Sequence, residues 1–496
     1  MQQLGSSRRA VAIILLWAVM LAGCGSDPLS PIPASVAVHP EHQWAGATLV
    51  LELAGVEAQG SRLGVYANGL PLEVEHWDGH QAIVRVPETA TGPLDLEVDY
   101  EGQKLPAGQV EIYGFSRYVE YPSRLQWFIQ EYPVDYGVSV VSPYSVPYRV
   151  SGEWDAGSFS WIHLSTGVSR EFDVDHSPGD NCHGVGLLLN PPAVVTCPSH
   201  DTTHVWRIEA TRLVDHGPGI IPGAYRWFGQ VSRDFWIEIW PHWGYMRRMA
   251  DGARVPSVEF RVEDSYGVEV LESQALLTIE SYSYNAPVIS TETGEVIYKL
   301  GPEVSEPPIY GVLGAAADEG RGRFYIAAGG LIASIEARTG KVLNYRELGP
   351  FRNQFPLEHA SGPDVLLVLD MVVRKLLILD PETLGDLGRI DLDAVMPRCA
   401  YGKKVVADPD ANMAYLVFAD ACSCDGVWIR GTPVVEISLP LPGVVPRAST
   451  TPYPAETPPT QTRSGFRAVP GSTAYPTAHQ RLPVRPGSRS CPSDCP

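Results

Sequence analysis

The chain has 496 residues, of which 44% are hydrophobic, and a formal net charge of −20. That apolar content supports a sizeable core, while the acidic balance and the lack of a basic stripe in the folded part exclude a nucleic-acid binder. With 47 glycines and 44 prolines, turns are frequent and long helices rare, so an all-β chain with room for about three domains is expected.

Arg8 and Arg9 precede the apolar run Ala10 to Ala22, which ends in Leu21-Ala22-Gly23-Cys24 and turns polar at Ser26 and Asp27. Thirteen residues fall short of the ~20 that a membrane span needs, so residues 1–23 read as a signal peptide. The Leu-Ala-Gly-Cys sequence resembles the lipobox of bacterial lipoproteins. The resemblance implies cleavage before Cys24, lipidation of its thiol (palmitate among the acyl chains) and a membrane as partner, with several acyl chains making a stable anchor. It places the protein in the cell envelope. Gly25 in place of Asp after the cysteine is similar to outer-membrane-sorted lipoproteins of enteric bacteria.

After a linker at 24–30, residues 31–115 hold about seven short alternating strands, the count and spacing of an Ig-like sandwich. Pro40, Gly46, Gly55, Asn68-Gly69, Val86-Pro87 and Gly92 resemble the pattern of IPT/TIG domains, which act mostly as spacers or binding modules. The chain departs from that pattern in lacking Asn-Phe after Gly55.

Residues 118–443 repeat one unit. VISTETGEVIYKLG, ASIEARTGKVLNYRELG and LILDPETLGDLGRIDL each place a Thr turn with a nearby Gly between two strands. Such turns near Thr293, Thr339 and Thr383 recur at the roughly 40 to 50 residues of a β-propeller blade. Adding turns near 166, 211, 252 and 438 gives about seven blades, with a two-sheet sandwich as the alternative. ADPDANMAYLVF and the Thr-Gly hairpins resemble YVTN-type and quinoprotein-like propellers. Closure of such a fold requires residues between Arg117 and Val150 to pair with the strand around Val434 to Leu439. The fold expected is therefore an Ig-like sandwich followed by a β-propeller. Residues 444–496, with 11 prolines and six arginines against Glu456 and Asp494, have the composition of a disordered tail.

Cysteines beyond Cys24 are Cys182, Cys197, Cys399, Cys422, Cys424, Cys491 and Cys495. In an oxidising compartment pairs are the default, Cys182 with Cys197 and Cys399 with Cys422 or Cys424, and because the seven are an odd number a thiol remains unpaired. A copper or zinc site at Cys422-Ser-Cys424 is the sharper alternative, but no His lies nearby. Asp173, Asp175 and Asp180, with His183, offer carboxylates in one loop that suit a hard cation, so calcium is the one cofactor the chain suggests. Acidic turns between strands are the plainer reading. Five of the twelve tryptophans lie between Trp206 and Trp243. Trp236, Trp240 and Trp243 are candidates for a ligand platform, against the alternative of blade packing.

No nucleophile elbow, zincin, P-loop or dinucleotide motif is present. The expectation is a lipid-anchored, non-catalytic binding or scaffold module with a protein or glycan ligand. One rival is a propeller polysaccharide lyase or hydrolase using carboxylates such as Asp173, Glu238 or Asp264. The other is an outer-membrane assembly factor.

Overall fold

The computed structural model describes residues 35–55, 63–123, 125, 130–134, 137–144, 158–173, 185–189, 192–199, 202–209, 212–219, 227–239, 243–261, 265–281, 286–302, 305–348, 355–396, 401–419, 431–441 and 444. The lipobox, the linker and the Pro/Arg-rich tail beyond 444 lie outside these residues. Among them every regular element is a strand, apart from a 3-10 turn at Glu272–Gln274, and nearly all pairing is antiparallel. The all-β expectation holds.

Two compact units divide the chain. The first gathers the strand Ser35–His39 with Leu49–Arg85 and Leu94–Val110. One sheet takes the order Ser35–His39, Thr48–Ala54, Gln81–Arg85, Glu73–Trp77. Another runs through Gln103–Tyr113, Gly92–Tyr100, Leu63–Ala67 and Leu70–Pro71. Alternate residues are buried, Ala82 and Val84 on one strand and Leu94, Leu96 and Val98 on another, so each sheet keeps one apolar face. Asn68 and Gly69 both take positive φ, at 48° and 80°, which is the two-residue hairpin their sequence announces.

The second unit holds Glu111 onward together with Pro40–Thr48 and Val86–Pro93. Its strands form groups of four, called here sheets I to VII. Sheet I comprises Gln130–Val134, Gly137–Tyr144, Ser158–His163 and Val168–Asp173. Sheet II comprises Val185–Leu189, Pro192–Ser199, Thr202–Glu209 and Arg212–Gly219, and sheet III Trp227–Gln230, Phe235–Ile239, Trp243–Arg248 and Arg254–Arg261. A parallel pairing of their first strands, Val185 opposite Trp227, joins II and III into one eight-stranded sheet. Sheet IV comprises Ser265–Leu271, Leu276–Ser281, Ala286–Ser290 and Val296–Leu300, and sheet V Gly314–Asp318, Arg323–Ala328, Leu331–Glu336 and Val342–Glu347. Sheet VI comprises Leu357–Ala360, Val365–Asp370, Lys375–Leu379 and Asp386–Asp391. Sheet VII has Tyr401–Asp408, Met413–Ala419 and Thr432–Ser438, and its fourth strand is Phe115–Tyr121 from the other end of the unit. The turn expected near 438 is therefore the end of a third strand, because the fourth arrives from more than 300 residues away.

The long-range strand pairing that was expected is present, with Tyr118 opposite Val435 and Arg117 opposite Glu436. Arg117 also bonds the Glu436 carboxylate at 2.7 Å. The buried Thr432 hydroxyl accepts from the Leu125 amide at 2.8 Å and donates to the Ser123 carbonyl at 2.7 Å.

Each group buries its faces against its neighbours. Phe159 and Trp161 of sheet I meet Val194 and Ile208 of II. Ile237 and Met246 of III meet Leu277 and Ile279 of IV. Val288 of IV meets Phe324 and Ile326 of V, and Tyr325 and Ile332 of V meet Leu366 and Val368 of VI. Gly402 of VII backs onto Leu369 of VI, while Val406, Tyr415 and Val434 of VII meet Val138, Val140 and Ile162 of I. First strands lie side by side from IV to VII, whereas in sheet I the second strand, Gly137–Tyr144, takes that position. Residues 40–48 and 86–93 pack on sheet VI: the Arg389 amide donates to Ala45 at 2.8 Å, and Glu88 bonds Lys375 at 2.7 Å.

Thr293, Thr339 and Thr383 occupy one equivalent place, the turn from third to fourth strand in sheets IV, V and VI. In each, the threonine Oγ1 accepts the amide two residues on, Glu295 at 3.3 Å, Lys341 at 3.2 Å and Gly385 at 3.2 Å. Gly294 and Gly340 supply the left-handed residue, but in the third turn it is Leu384, at φ 57°, and not Gly385. Leu384 is buried in the sheet V–VI core, which offsets the strain. The turn from first to second strand repeats as well. Its last residue is left-handed in four successive sheets, at Ala275, Gly322, Asp364 and Asn412.

Where the closing strands meet, a Cβ on Gly431 would overlap the Tyr121 carbonyl. Gly431→Ala is expected to destabilise the second unit by about 1–3 kcal/mol. Gly320→Ala, where the nearest atom is a side-chain oxygen at 3.5 Å, should stay within about 0.5 kcal/mol of wild type, and urea titration of both variants checks the contrast.

Candidate functional site

Sheet III is two-faced by strand alternation. Phe235, Ile237, Met246 and Val255 turn toward sheet IV and are packed there. Trp236, Glu238, Trp243, Tyr245 and Arg247 share the other face, with Trp236 opposite Arg247 and Glu238 opposite Tyr245. The Arg247 guanidinium lies 5.6 Å from the Trp236 ring, bonds the Glu238 carboxylate, and donates to the Gly252 carbonyl at 2.8 Å. Arg254, opposite Arg247 in register, stacks on Tyr245 at 3.8 Å. Two arginines facing across a ladder repel, and here Glu238 and the two aromatic faces neutralise the pair.

This geometry separates the tryptophans that the sequence grouped. Trp236 is 1% exposed and belongs to the packing, whereas Trp243 is 44% exposed and open to a ligand. Glu238 is fully buried against a guanidinium, the environment of a structural ion pair. Trp240 lies outside the described residues, as do Asp175, Asp180, Cys182, His183, Asp264, Cys399, Cys422, Cys424, Cys491 and Cys495. Asp173 ends the last strand of sheet I and Cys197 sits in the second strand of sheet II, their side chains outside the description. Among the described residues no group of three or more His, Cys, Asp or Glu is arranged to hold a metal.

Trp243 has companions that sequence reasoning missed. It follows the turn from second to third strand of sheet III. The equivalent turn of sheet VI carries Val372 and Val373, 59% and 53% exposed. That of sheet V is Gly329-Gly330, and Tyr310, 48% exposed, packs beside Gly329. These turns lie at one end of their sheets. The Phe355 amide at the entry to VI donates to Leu313 at the entry to V at 3.1 Å, and Val312 bridges Ser281 at the end of the second strand of IV. At the opposite end, Ser232 of III donates to Thr291 of IV at 2.8 Å. The signal in the sequence was a pair of valines in a turn position, LDMVVRK, where polar residues are the rule.

The opposite end is knitted by charge. Arg321 of sheet V reaches Asp364 in a two-pronged bond at 2.8 and 2.7 Å, Asp318 at 3.0 Å and Glu382 at 2.5 Å. Arg323 adds a bond to Glu382 at 2.9 Å, and His359 approaches Asp364 at 3.2 Å. Burial would raise the Asp318 carboxyl, but His359, the Arg321 amide and guanidinium, and the Tyr325 hydroxyl together hold it below the usual range. The Arg321 guanidinium holds Asp364 down, and Arg323 with Arg321 does the same for Glu382. At this end the Glu319 carboxylate also accepts the Glu272 and Ser273 amides at 2.7 and 2.8 Å.

No family model matches the chain, and no curated protein shows significant sequence similarity to it.

Depressed carboxylates contribute stability that is present above their unfolded pKa values, near 4, and lost as pH falls through the folded ones. Arg321→Leu should cost about 2 kcal/mol at pH 7 and flatten the loss of stability between about pH 5 and 3. Urea titrations across that range check it. Parallel curves for the two proteins would show that Arg321 does not set these carboxylates.

Proposed function

We propose that this chain is a lipid-anchored cell-envelope binding module, in which an N-terminal Ig-like region precedes a seven-bladed β-propeller. Support for the architecture comes from groups of four antiparallel strands, each packed on the next, and from the chain-end pairing that completes sheet VII. The lipobox ending in Cys24 supports the anchor, and the absence of nucleophile and metal motifs supports binding in place of catalysis.

One observation carries the binding reading. Trp243, Tyr310, Val372 and Val373 are exposed at the end where second strands turn into third strands, while the other end uses its side chains on itself. Large apolar side chains left half-open at turns lower solubility, so a docking surface is their natural role. The two valines favour a protein ligand over a glycan, since sugars are held by aromatic faces and hydrogen bonds.

Cell-envelope extracts and a glycan array, probed with wild type and with the triple variant Trp243→Ala, Val372→Ser, Val373→Ser, test the surface. The variant is expected to lose a retained partner or glycan while its melting temperature moves by less than about 2 °C. Equal retention by both proteins argues against this end as the binding face. For the anchor, Cys24→Ser should leave the protein unprocessed or soluble in the envelope. Continued membrane partition after a carbonate wash would count against lipidation at that residue.

A further inference from the structure

The third and fourth strands of sheet III carry Arg247, Arg248, Arg254 and Arg261 against Asp251 and Glu259. In a chain of net charge −20 this is a basic stretch, and it begins at Trp243, an exposed member of the apolar end described above. Its cations are not equally engaged. Arg248 bonds Asp251 at 2.7 Å, and Arg247 bonds Glu238 and the Gly252 carbonyl. Arg254 is exposed and makes no ion pair with a described residue, and its guanidinium lies 3.8 Å from the centre of the Tyr245 ring. Register places Arg261 opposite Trp243, Glu259 opposite Tyr245 and Arg254 opposite Arg247. With Glu238 opposite Tyr245 on the other side, this face holds three arginines and two glutamates, and a positive charge remains.

A guanidinium stacked on an aromatic ring keeps its N–H donors available for a planar carboxylate, and the stacking orients it before a ligand arrives. Trp243 and Tyr245 stand two residues apart on one face of one strand, roughly 7 Å along it. An apolar group on the indole and an anion at the Arg254 guanidinium are therefore within reach of one short segment. Tryptophan, tyrosine and arginine are also the side chains that most often dominate the binding energy of protein interfaces.

We propose that Trp243 and Arg254 form a two-part anchor for an acidic partner segment. An apolar side chain of the segment goes to the indole, and a neighbouring aspartate or glutamate carboxylate goes to the guanidinium. The inference rests on the reading of the Trp243 end as a docking surface, and it names the chemistry of the protein ligand there. Charge complementarity selects the carboxylate, because a lysine at that place would meet the unneutralised guanidinium at short range.

Short synthetic peptides on an array are the probe. One set carries leucine and phenylalanine flanked by aspartate, another the same apolar residues flanked by serine, and another flanked by lysine, with an all-polar peptide as the blank. Full-length wild type, Arg254→Gln, Arg254→Lys and the triple variant Trp243→Ala, Val372→Ser, Val373→Ser are compared at low and at physiological salt. Wild type is expected to retain the aspartate set roughly two- to five-fold above the serine set, the range of an exposed ion pair, and the excess should fall as salt rises. Arg254→Gln should bring the aspartate set down to the serine set and leave the serine set unchanged, while Arg254→Lys keeps part of the excess. An aspartate preference that survives in Arg254→Gln, or equal retention of all three sets by wild type, overturns the acidic anchor. The docking surface itself then still stands if the triple variant loses the serine set. Retention of no set above the blank removes the surface and the anchor together.

Discussion

The pairing of Phe115–Tyr121 with Thr432–Ser438 is the constraint on which the second unit depends. Each sheet between them is apolar on the faces it turns to its neighbours, so a succession without an end partner would leave two faces in water. The core where sheets VII and I meet holds ten buried side chains, from Tyr121 and Val138 to Val417 and Val434. Burying a large apolar side chain contributes about 1.5–3 kcal/mol, which sets the scale of what an open end would forfeit. The loop entropy of joining segments some 300 residues apart grows only with the logarithm of that separation. The distance in sequence therefore slows the assembly more than it weakens it.

Local chemistry repeats with the sheets. A threonine hydroxyl that accepts the amide two residues on, followed by a left-handed residue, closes the outer hairpin in sheets IV, V and VI. The inner hairpin likewise ends on a left-handed residue in sheets IV to VII. Asp318 and Asp408 both cap that turn, with the Arg321 amide at 3.0 Å and the Ala411 amide at 3.1 Å. Because these bonds satisfy turn amides within the turn, residues not needed for them are free to vary. Leu384 shows the limit of that freedom, since a buried side chain can hold a backbone conformation that glycine takes at no cost.

The two ends of sheets III to VI use their side chains differently. One end invests arginines and carboxylates in bonds between adjacent sheets, notably around Arg321. The other leaves Trp243, Tyr310, Val372 and Val373 partly exposed to water. The bonding around Arg321 makes that part of the first end a poor surface for a partner, since those charged groups are already satisfied. The second end has apolar area to offer on turns carried by mutually packed sheets, an arrangement that suits recognition.

Strand periodicity, the Asn68-Gly69 hairpin, the equivalence of Thr293, Thr339 and Thr383 and the long-range closing pair were all legible in the residues. Each rests on backbone geometry that acts over a few positions or on a spacing that repeats. The turn expected at 438 was misplaced because strand order in space, and not chain order, supplies the fourth strand of sheet VII. The division of labour among the tryptophans was invisible for a related reason. Trp236 and Trp243 sit on one face of one sheet, and only the packing of neighbouring sheets buries the first and leaves the second open. Arg247 beside Glu238 and Arg321 among three carboxylates are likewise decided by tertiary contact. Charge pairing depends on distance through space, and a linear chain records only distance along itself.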